Sequence, residues 1–236
     1  MPANTGNLLL DSLSPELRTE ILALGRAIDL PSRTVLQEQG ERSAYVYFLS
    51  GGVASLVVTM AQGGSAEVGF TGREGLVGAM QLLGPAGMPS QSYMLEPGSA
   101  LRVRSEDLCP LFHNTPELRG RILEFVQQQC ISLEQSTACN KMHEVEQRLA
   151  RWLLMCHDRS RQDTMMLTQE FMADMLGTRR TTVTMVAGSL QERGMISYRR
   201  GKITILSASE LEKAACPCYR ICSKALRNLY RHPSAE

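Results

Sequence analysis

The chain has 236 residues, of which 43% are hydrophobic and 21% are charged, as in a soluble globular protein of one or two domains. No apolar run approaches the roughly 18 residues of a membrane span, and no basic segment precedes an apolar run at the N-terminus. We therefore expect no membrane contact, no signal peptide and a cytoplasmic location. The net charge of +1 hides an asymmetry, because residues 141–236 contain 16 Lys and Arg against 10 Asp and Glu, whereas residues 1–140 contain 9 against 14. A nucleic-acid partner is therefore expected at the C-terminal part.

The first hundred residues change from a helical to a β-type pattern. Ser14 and Pro15 form an N-cap followed by a proline at the first helical position, and the apolar spacing after them predicts a helix over residues 15–27. Short β-type runs with glycine turns between them cover residues 34–36, 45–49, 53–60, 66–70, 92–95 and 100–103. Such a series predicts an antiparallel sandwich or roll, which can enclose a ligand or be purely structural.

A long helix is predicted over residues 116–142, and about 25 residues make a rod of about 38 Å. Its apolar stripe consists of Ile122, Val126, Cys130 and Leu133. We expect this stripe to pair with a second copy in a homodimer; the alternative is packing on the chain's own β-domain. A further helix is predicted over residues 143–158. Its expected buried residues are Val145, Leu149, Trp152, Leu153 and Cys156.

Residues 167–190 predict two short helices joined by a turn. Gly177 supplies the turn, since a β-carbon would obstruct it, and Thr178 is the expected N-cap of the second helix. The second helix has a predicted buried stripe that consists of Val183, Val186, Ala187 and Leu190. At about 100° per residue, Thr181 and Met185 then point outward.

A short hairpin is predicted directly after these helices, because Ile203 and Ile205 alternate with polar residues across a turn that contains glycine. Basic residues near its tip can reach a DNA backbone when the preceding helix lies in the major groove, where Arg180 can pair with guanine edges. The expected DNA-contacting residues are Thr178, Arg179, Arg180, Thr181, Thr182, Thr184, Met185, Arg199, Arg200 and Lys202. The sequence therefore predicts a winged helix-turn-helix that binds double-stranded DNA. The alternative is a winged helix used only for protein contacts.

The order of these parts resembles the Crp/Fnr family of bacterial transcription regulators over nearly the whole chain. The matching segments are Tyr47-Phe-Leu-Ser-Gly-Gly-Val53, Val145-Glu-Gln-Arg-Leu-Ala-Arg-Trp-Leu153, and Leu167-Thr-Gln-Glu through Gly194-Met-Ile196. The resemblance implies an α+β chain with a β-roll or jelly-roll effector domain over residues 1–115, a dimerisation helix over 116–142 and a DNA-binding domain over 143–236. It also implies a homodimer at a palindromic operator, an effector that reorients the two reading helices, and RNA polymerase as a partner.

The effector pocket of that family is expected to differ here. Members that bind cyclic AMP carry a Gly-Glu pair for the ribose and an Arg-Ser pair for the cyclic phosphate, and the corresponding residues in this chain are Gly78-Ala79 and Gln91-Ser92. Ala79 cannot accept a hydrogen bond from a ribose hydroxyl, and Gln91 lacks the charge that pairs with a phosphate. We therefore expect that cyclic AMP is not the effector and that no cofactor is bound. A shifted alignment would make Arg73-Glu74 the polar pair.

The recognition helix departs from the same members. Their pattern carries an acidic residue after the first reading arginine and a second arginine four positions further on, where this chain has Thr181 and Met185. We expect Arg180 to pair with a guanine, while Thr181 and Met185 meet neighbouring bases through apolar contacts such as a thymine methyl.

Seven cysteines are scattered through the chain, which fits reduced thiols better than a disulfide framework. The one dense group is Cys216, Cys218 and Cys222. With Cys156 or His232 as a fourth ligand it offers a weak candidate metal site, but its C-x-C-x₃-C spacing matches no common zinc or cluster pattern. Thiols in a helical core are favoured. The alternative functions are a thiol or metal sensor, and a nucleotide-binding module that acts on protein partners.

Enzyme chemistry finds little support in the sequence. The histidines His113, His143, His157 and His232 form no H-E-x-x-H pattern, and neither a P-loop nor a G-x-S-x-G elbow occurs. We therefore expect no catalytic residues.

Overall fold

The computed structural model describes residues 4–231, and their N-terminal part forms a β-roll preceded by short helices. Its elements are α1 (Leu8–Asp11), α2 (Pro15–Leu24), β1 (Gly25–Leu30), β2 (Val35–Gln37), β3 (Tyr45–Leu49), β4 (Val53–Thr59), β5 (Ser65–Thr71), β6 (Leu76–Val77), a 3₁₀ turn (Ala79–Leu82), β7 (Gln91–Glu96) and β8 (Gly98–Arg104). The strands pair antiparallel in the orders β1-β8-β3-β6 and β2-β7-β4-β5. The predicted antiparallel roll and the α+β class are therefore confirmed.

Helix α2 is shorter than its sequence pattern predicts. It ends at Leu24, and Gly25 begins β1, which pairs with β8 along its whole length. Gly25 permits this close pairing, since a β-carbon there would lie 2.6 Å from Leu101 Cγ. The predicted helix over residues 15–27 is therefore wrong at its end, because pairing with a distant strand overrides the local helical spacing.

Two helices follow the roll: α3 (Ser105–Asn114), which was not predicted, and α4 (Pro116–Met142), which has the predicted bounds. The first half of α4 packs on the roll. Ile122 is fully buried and Val126 is nearly so, in one apolar core with Phe48 and Phe125. The expected dimer stripe is therefore wrong for Ile122 and Val126, since the chain's own β-domain already covers them. Cys130 and Leu133 lie beyond this core and are exposed.

The C-terminal part contains a helix, a helix pair, a hairpin and two closing helices. Its elements are α5 (Val145–Ser160), β9 (Thr164–Met166), α6 (Gln169–Leu176), α7 (Arg180–Glu192), β10 (Ile196–Arg199), β11 (Lys202–Ile205), α8 (Ala208–Ala214) and α9 (Cys218–Asn228). The strands pair in the order β10-β11-β9, so β9 adds a strand to the predicted hairpin. Among the described residues, no helix combines the length and the apolar character that a membrane crossing requires.

The β-roll and the C-terminal part share one apolar core, and Trp152 of α5 lies where they meet. Its ring centroid is 5.8 Å from that of Phe70 in β5 and 6.2 Å from that of Phe171 in α6. Trp152 Nε1 also donates a hydrogen bond to Glu67 Oε1 of β5 at 2.6 Å. The predicted burial of Leu149, Trp152, Leu153 and Cys156 in α5 is confirmed, whereas Val145 is half-buried.

A buried ion pair joins the same two parts. Arg159 Nε of α5 donates to Glu74 Oε1 at 2.8 Å, and the two side chains are only 3% and 2% exposed. Glu74 Oε1 also accepts the Gly72 N–H at 3.1 Å, and the Arg159 guanidinium donates to the Met155 carbonyl at 3.1 Å. Each charge therefore has several partners, as a buried charge requires.

Glu74→Gln is expected to lower the free energy of unfolding by about 3–5 kcal/mol, because the substitution leaves Arg159 buried without its counter-charge. The matched control is Glu106→Gln in the exposed pair with Arg104, which should change stability by less than about 1 kcal/mol. Urea unfolding followed by the fluorescence of Trp152, the one tryptophan of the chain, measures both variants. Equal unfolding midpoints for the two variants would show that the buried ion pair contributes no more to stability than the exposed pair.

Candidate DNA interface

Local signals define the first helix of the pair, α6. Thr168 Oγ1 accepts a hydrogen bond from a backbone N–H of the first turn at 3.1 Å and so caps the N-terminus. Gly177 ends the helix in the left-handed region at φ 58°, and the Thr178 N–H donates to the Ala173 carbonyl at 2.9 Å. Helix α7 begins at Arg180, one residue later than a cap at Thr178 requires. The predicted N-cap at Thr178 is therefore wrong, and Arg179 occupies that position.

Helix α7 has the predicted buried and exposed faces. The apolar stripe packs against α5 and α6, and its buried members are Val183, Val186, Ala187 and Leu190. On the opposite side Thr181 is exposed, and Met185 is 68% exposed. With Arg180 in the first turn, these two side chains form an outward face that can approach the edges of bases.

Most of the expected DNA-contacting residues are exposed in the structure. Those that are exposed are Arg179, Arg180, Thr181, Thr184, Met185, Arg199, Arg200 and Lys202, and those that are half-buried are Thr178 and Thr182. Thr184 Oγ1 donates a hydrogen bond to Gln169 Oε1 at 2.9 Å. Thr184 therefore ties α7 to the start of α6 as well as facing outward.

The hairpin β10–β11 forms the wing. Arg200 and Gly201 occupy its turn with φ values of 53° and 75°, the pair of positive angles that a two-residue type I′ turn requires. The flanking Arg199 and Lys202 are opposite each other in the ladder. The turn therefore places three basic side chains at the tip of the wing.

A shallow groove brings the wing and the recognition helix together. Arg180 and Arg200 both line it, together with Gln169 at the start of α6 and Tyr198 of β10. Sequence reasoning did not single out Gln169 or Tyr198. The position of Gln169 directly after the capping Thr168 was an available signal, because the first turn of a helix presents free N–H groups to an anion such as a phosphate.

The four expected effector-pocket residues lie at the start of the 3₁₀ turn and in β7. Gly78 and Ala79 begin the 3₁₀ turn, whose Gln81 side chain donates to the Tyr45 carbonyl and to Ser105 Oγ. Gln91 Nε2 donates to the Glu38 carboxylate at 2.7 Å. The Ser92 hydroxyl is buried without a hydrogen-bond partner in the protein. In the alternative pair Arg73-Glu74, the Glu74 carboxylate is held in the buried ion pair with Arg159.

A cavity lies instead between β5, α4 and α5, and none of those four residues lines it. Glu67 forms part of its wall and accepts hydrogen bonds from Ser55 Oγ at 2.5 Å and from Trp152 Nε1 at 2.6 Å. Burial raises the pKa of the Glu67 carboxyl to about 8, so this group is largely protonated at neutral pH. Arg151 and Arg159 also line the cavity, and Arg159 is the partner of Glu74 in the buried ion pair.

The cysteines group differently from the sequence expectation. Cys216 and Cys218 lie together with Cys139 and His143, which close α4. Cys222 and Cys156 are buried in the core of the DNA-binding part instead. The expected combination of Cys216, Cys218 and Cys222 with Cys156 is therefore wrong, because α9 turns Cys222 into that separate core. His232, the other expected ligand, lies outside the described residues.

Two family models match the chain, and together they span its main parts. The cyclic nucleotide-binding domain matches residues 27–115, which contain the roll, and the Crp-like helix-turn-helix domain matches residues 147–214. No curated protein matches the chain.

Solved structures show the same fold at low sequence identity. FixK2 from Bradyrhizobium japonicum is 15% identical, with a TM-score of 0.68 over 81% of this chain and 98% of its own. A protein described as a transcriptional regulator of the crp/fnr family from Eubacterium rectale is 14% identical, with a TM-score of 0.69 over 89% and 99%. The c-di-GMP-responsive regulator CLP from Xanthomonas campestris is 17% identical, with a TM-score of 0.65 over 82% and 100%.

These structures thus share the fold of the chain, and the two matched domains cover its roll and its helix-turn-helix. Regulators of this kind bind DNA and carry out no catalysis. The chain belongs to the Crp/Fnr family and is a DNA-binding transcription regulator.

Proposed function

We propose that the protein acts as a homodimer that reads a palindromic operator, with α7 of each copy in the major groove and the wing on the adjacent backbone. The observation that carries this proposal is the outward face of α7. Arg180, Thr181 and Met185 are exposed there, while the opposite face is fully packed. The groove that joins Arg180 to Arg200 supports one continuous contact surface across helix and wing. An operator on chromosomal DNA implies a cytoplasmic location, and the family resemblance makes RNA polymerase the proposed partner.

We assign the recognition of bases to Arg180 and the contact with the DNA backbone to the wing. An exposed guanidinium in the first turn of α7 can donate two hydrogen bonds to a guanine, and Met185, about one and a half turns further on, can contact a thymine methyl. Arg200 and Lys202 lie at the tip of the wing and meet the phosphates, which carry no sequence information. Substitutions in the two groups of residues should therefore have different effects on DNA binding.

Arg180→Ala is expected to weaken operator binding by about 1–3 kcal/mol and to relax one position in each half-site, because the bidentate contact to guanine is lost. Lys202→Ala should weaken binding to all sequences and reduce the salt slope by about one. Site selection from random DNA, followed by binding titrations over a range of salt concentrations, measures both effects. The matched control is Arg220→Ala, an exposed arginine of α9 outside the interface. If wild type and Arg180→Ala select the same consensus sequence with equal strength, Arg180 does not recognise a base.

The proposed dimer uses the outward face of α4. Leu123 is 46% exposed, and Cys130 and Thr137 are exposed one and two heptads further on, so a seam remains after Ile122 has packed on the roll. A two-fold axis along parallel helices places each of these residues opposite its copy. Such a dimer presents two recognition helices to half-sites about 34–36 Å apart, one turn of DNA.

Leu123→Glu is expected to shift the protein toward monomer, because two carboxylates would then face each other across the axis. Sedimentation velocity at several concentrations measures the shift. The matched control is Leu22→Glu, an equally exposed leucine on α2, which should leave the mass unchanged. Mild oxidation should also link two copies of wild type, but not of Cys130→Ser. If the Leu123→Glu protein stays dimeric, α4 does not form the dimer interface.

The effector is proposed to be something other than cyclic AMP. Ala79 offers no acceptor to a ribose, and Gln91 donates its amide to Glu38. A cyclic phosphate at that position would approach the Glu38 carboxylate, and two negative charges at close range repel each other.

We expect calorimetric titration of the full-length protein with cyclic AMP to show no saturable heat, and operator affinity to be the same with and without the nucleotide. Cyclic GMP serves as the control for a nucleotide of the same charge. Saturable binding of cyclic AMP together with tighter operator binding would contradict the proposal.

A further inference from the structure

A compact group of metal-ligating side chains lies at the end of the long helix. Cys139 is in the last turn of α4, and His143 follows as its C-cap residue. Cys216 precedes α9, and Cys218 begins it. The three sulfur atoms and one histidine nitrogen all lie within 4.8 Å of one another. Residues from two distant parts of the chain are therefore brought to one point.

The local backbone explains why these side chains converge. Cys139 and His143 are four residues apart, so both project from the same side at the end of α4. Pro217 separates the other two cysteines and serves as the N-cap residue of α9. Cys139, Cys216 and Cys218 are all but fully buried and form an apolar cluster of their own, separate from the core that contains Cys222.

The distances fit one tetrahedrally bound ion. Zinc–sulfur bonds of about 2.3 Å place two sulfur ligands about 3.8 Å apart, and a sulfur and a nitrogen ligand slightly closer. Cys139 Sγ is 3.4 Å from Cys216 Sγ, and Cys218 Sγ is 3.6 Å from His143 Nδ1. A disulfide would use only two of the four groups, and an iron–sulfur cluster needs ligands spread around several irons. Three cysteines and one histidine are a ligand set of structural zinc sites.

Neighbouring side chains suit a site with three thiolates. Gln135 Nε2 donates to Cys218 Sγ at 3.1 Å, the kind of outer contact that orients a metal-bound sulfur. Arg151 is almost completely buried nearby and donates to Ser136 Oγ, and its Nε has no partner in the protein. Three thiolates around a divalent ion carry one net negative charge, which the Arg151 guanidinium can offset.

We propose that Cys139, His143, Cys216 and Cys218 bind one zinc(II) ion as a Cys₃His site that ties the end of α4 to the start of α9. On binding, the three thiols release their protons to solvent, and His143 donates the lone pair of neutral Nδ1 to complete four bonds. The site holds the junction of the long helix and α5, because only His143 and Glu144 separate these helices. This assignment replaces the sequence expectation that the terminal cysteines are only core thiols.

The full-length protein, purified under reducing conditions without chelator, is expected to contain about one zinc per chain by elemental analysis. Cys139→Ser and Cys218→Ser should each lose most of this zinc, whereas the matched controls Cys222→Ser and Cys130→Ser should keep it. Cobalt(II) exchanged into wild type should show visible tetrahedral bands and a thiolate charge-transfer band. His143→Cys should keep the metal with a shifted spectrum, which tests that position without removing a ligand.

Several results would overturn the proposal. One is wild-type protein without zinc after anaerobic reconstitution, a measurement that does not depend on any variant folding. Others are full zinc content in Cys139→Ser, a native Cys139–Cys216 disulfide detected by mass spectrometry, and iron with labile sulfide in place of zinc. Operator binding is measured separately, so loss of the zinc assignment leaves the DNA-binding proposal untouched.

Discussion

The placement of the DNA-binding part depends on one apolar contact, the packing of Trp152 between the roll and the helix pair. Its ring lies beside Phe70 on one side and Phe171 on the other, and its indole N–H is bonded to Glu67. An aromatic side chain in this position buries a large area while its polar atom stays paired. The sheet that contains β5 and the first helix of the pair therefore share a core. Strand β5 and helix α5 are in direct contact through Trp152.

Other contacts reinforce this placement by different chemistry. The Arg159–Glu74 pair is buried, so the stability of the protein depends on both charges being present. The side chains of Cys139, His143, Cys216 and Cys218 meet at the opposite end of α5, where α4 ends and α9 begins. The cavity between β5, α4 and α5 lies among these attachments, and its wall includes the raised-pKa acid Glu67. A ligand in that cavity would contact both β5 of the roll and the helix that carries Trp152.

The candidate DNA interface follows from short-range signals. Thr168 caps α6, Gly177 ends it, and the type I′ turn at Arg200 sets the wing. Each signal acts within a few residues, and each of these elements forms close to its predicted position. The N-cap of α7 is the exception, because the helix begins at Arg180 and the residue before it is Arg179. Within this interface, the position of Arg180 and Arg200 in one groove depends on how the wing folds back on the helix pair.

Sequence by itself determined the elements that rest on local periodicity: the bounds of α4, the buried stripe of α7 and six strands of the roll to within two residues. The sequence signals for these elements lie in neighbouring residues, which interact through local hydrogen bonds and the spacing of their side chains. Tertiary structure alone decided that residues 25–30 form a strand, that the roll covers Ile122 and Val126, and that Cys139 and His143 meet Cys216 and Cys218. In each case the partner lies well outside the local segment of the chain, and no local pattern specifies which distant surface a residue will meet.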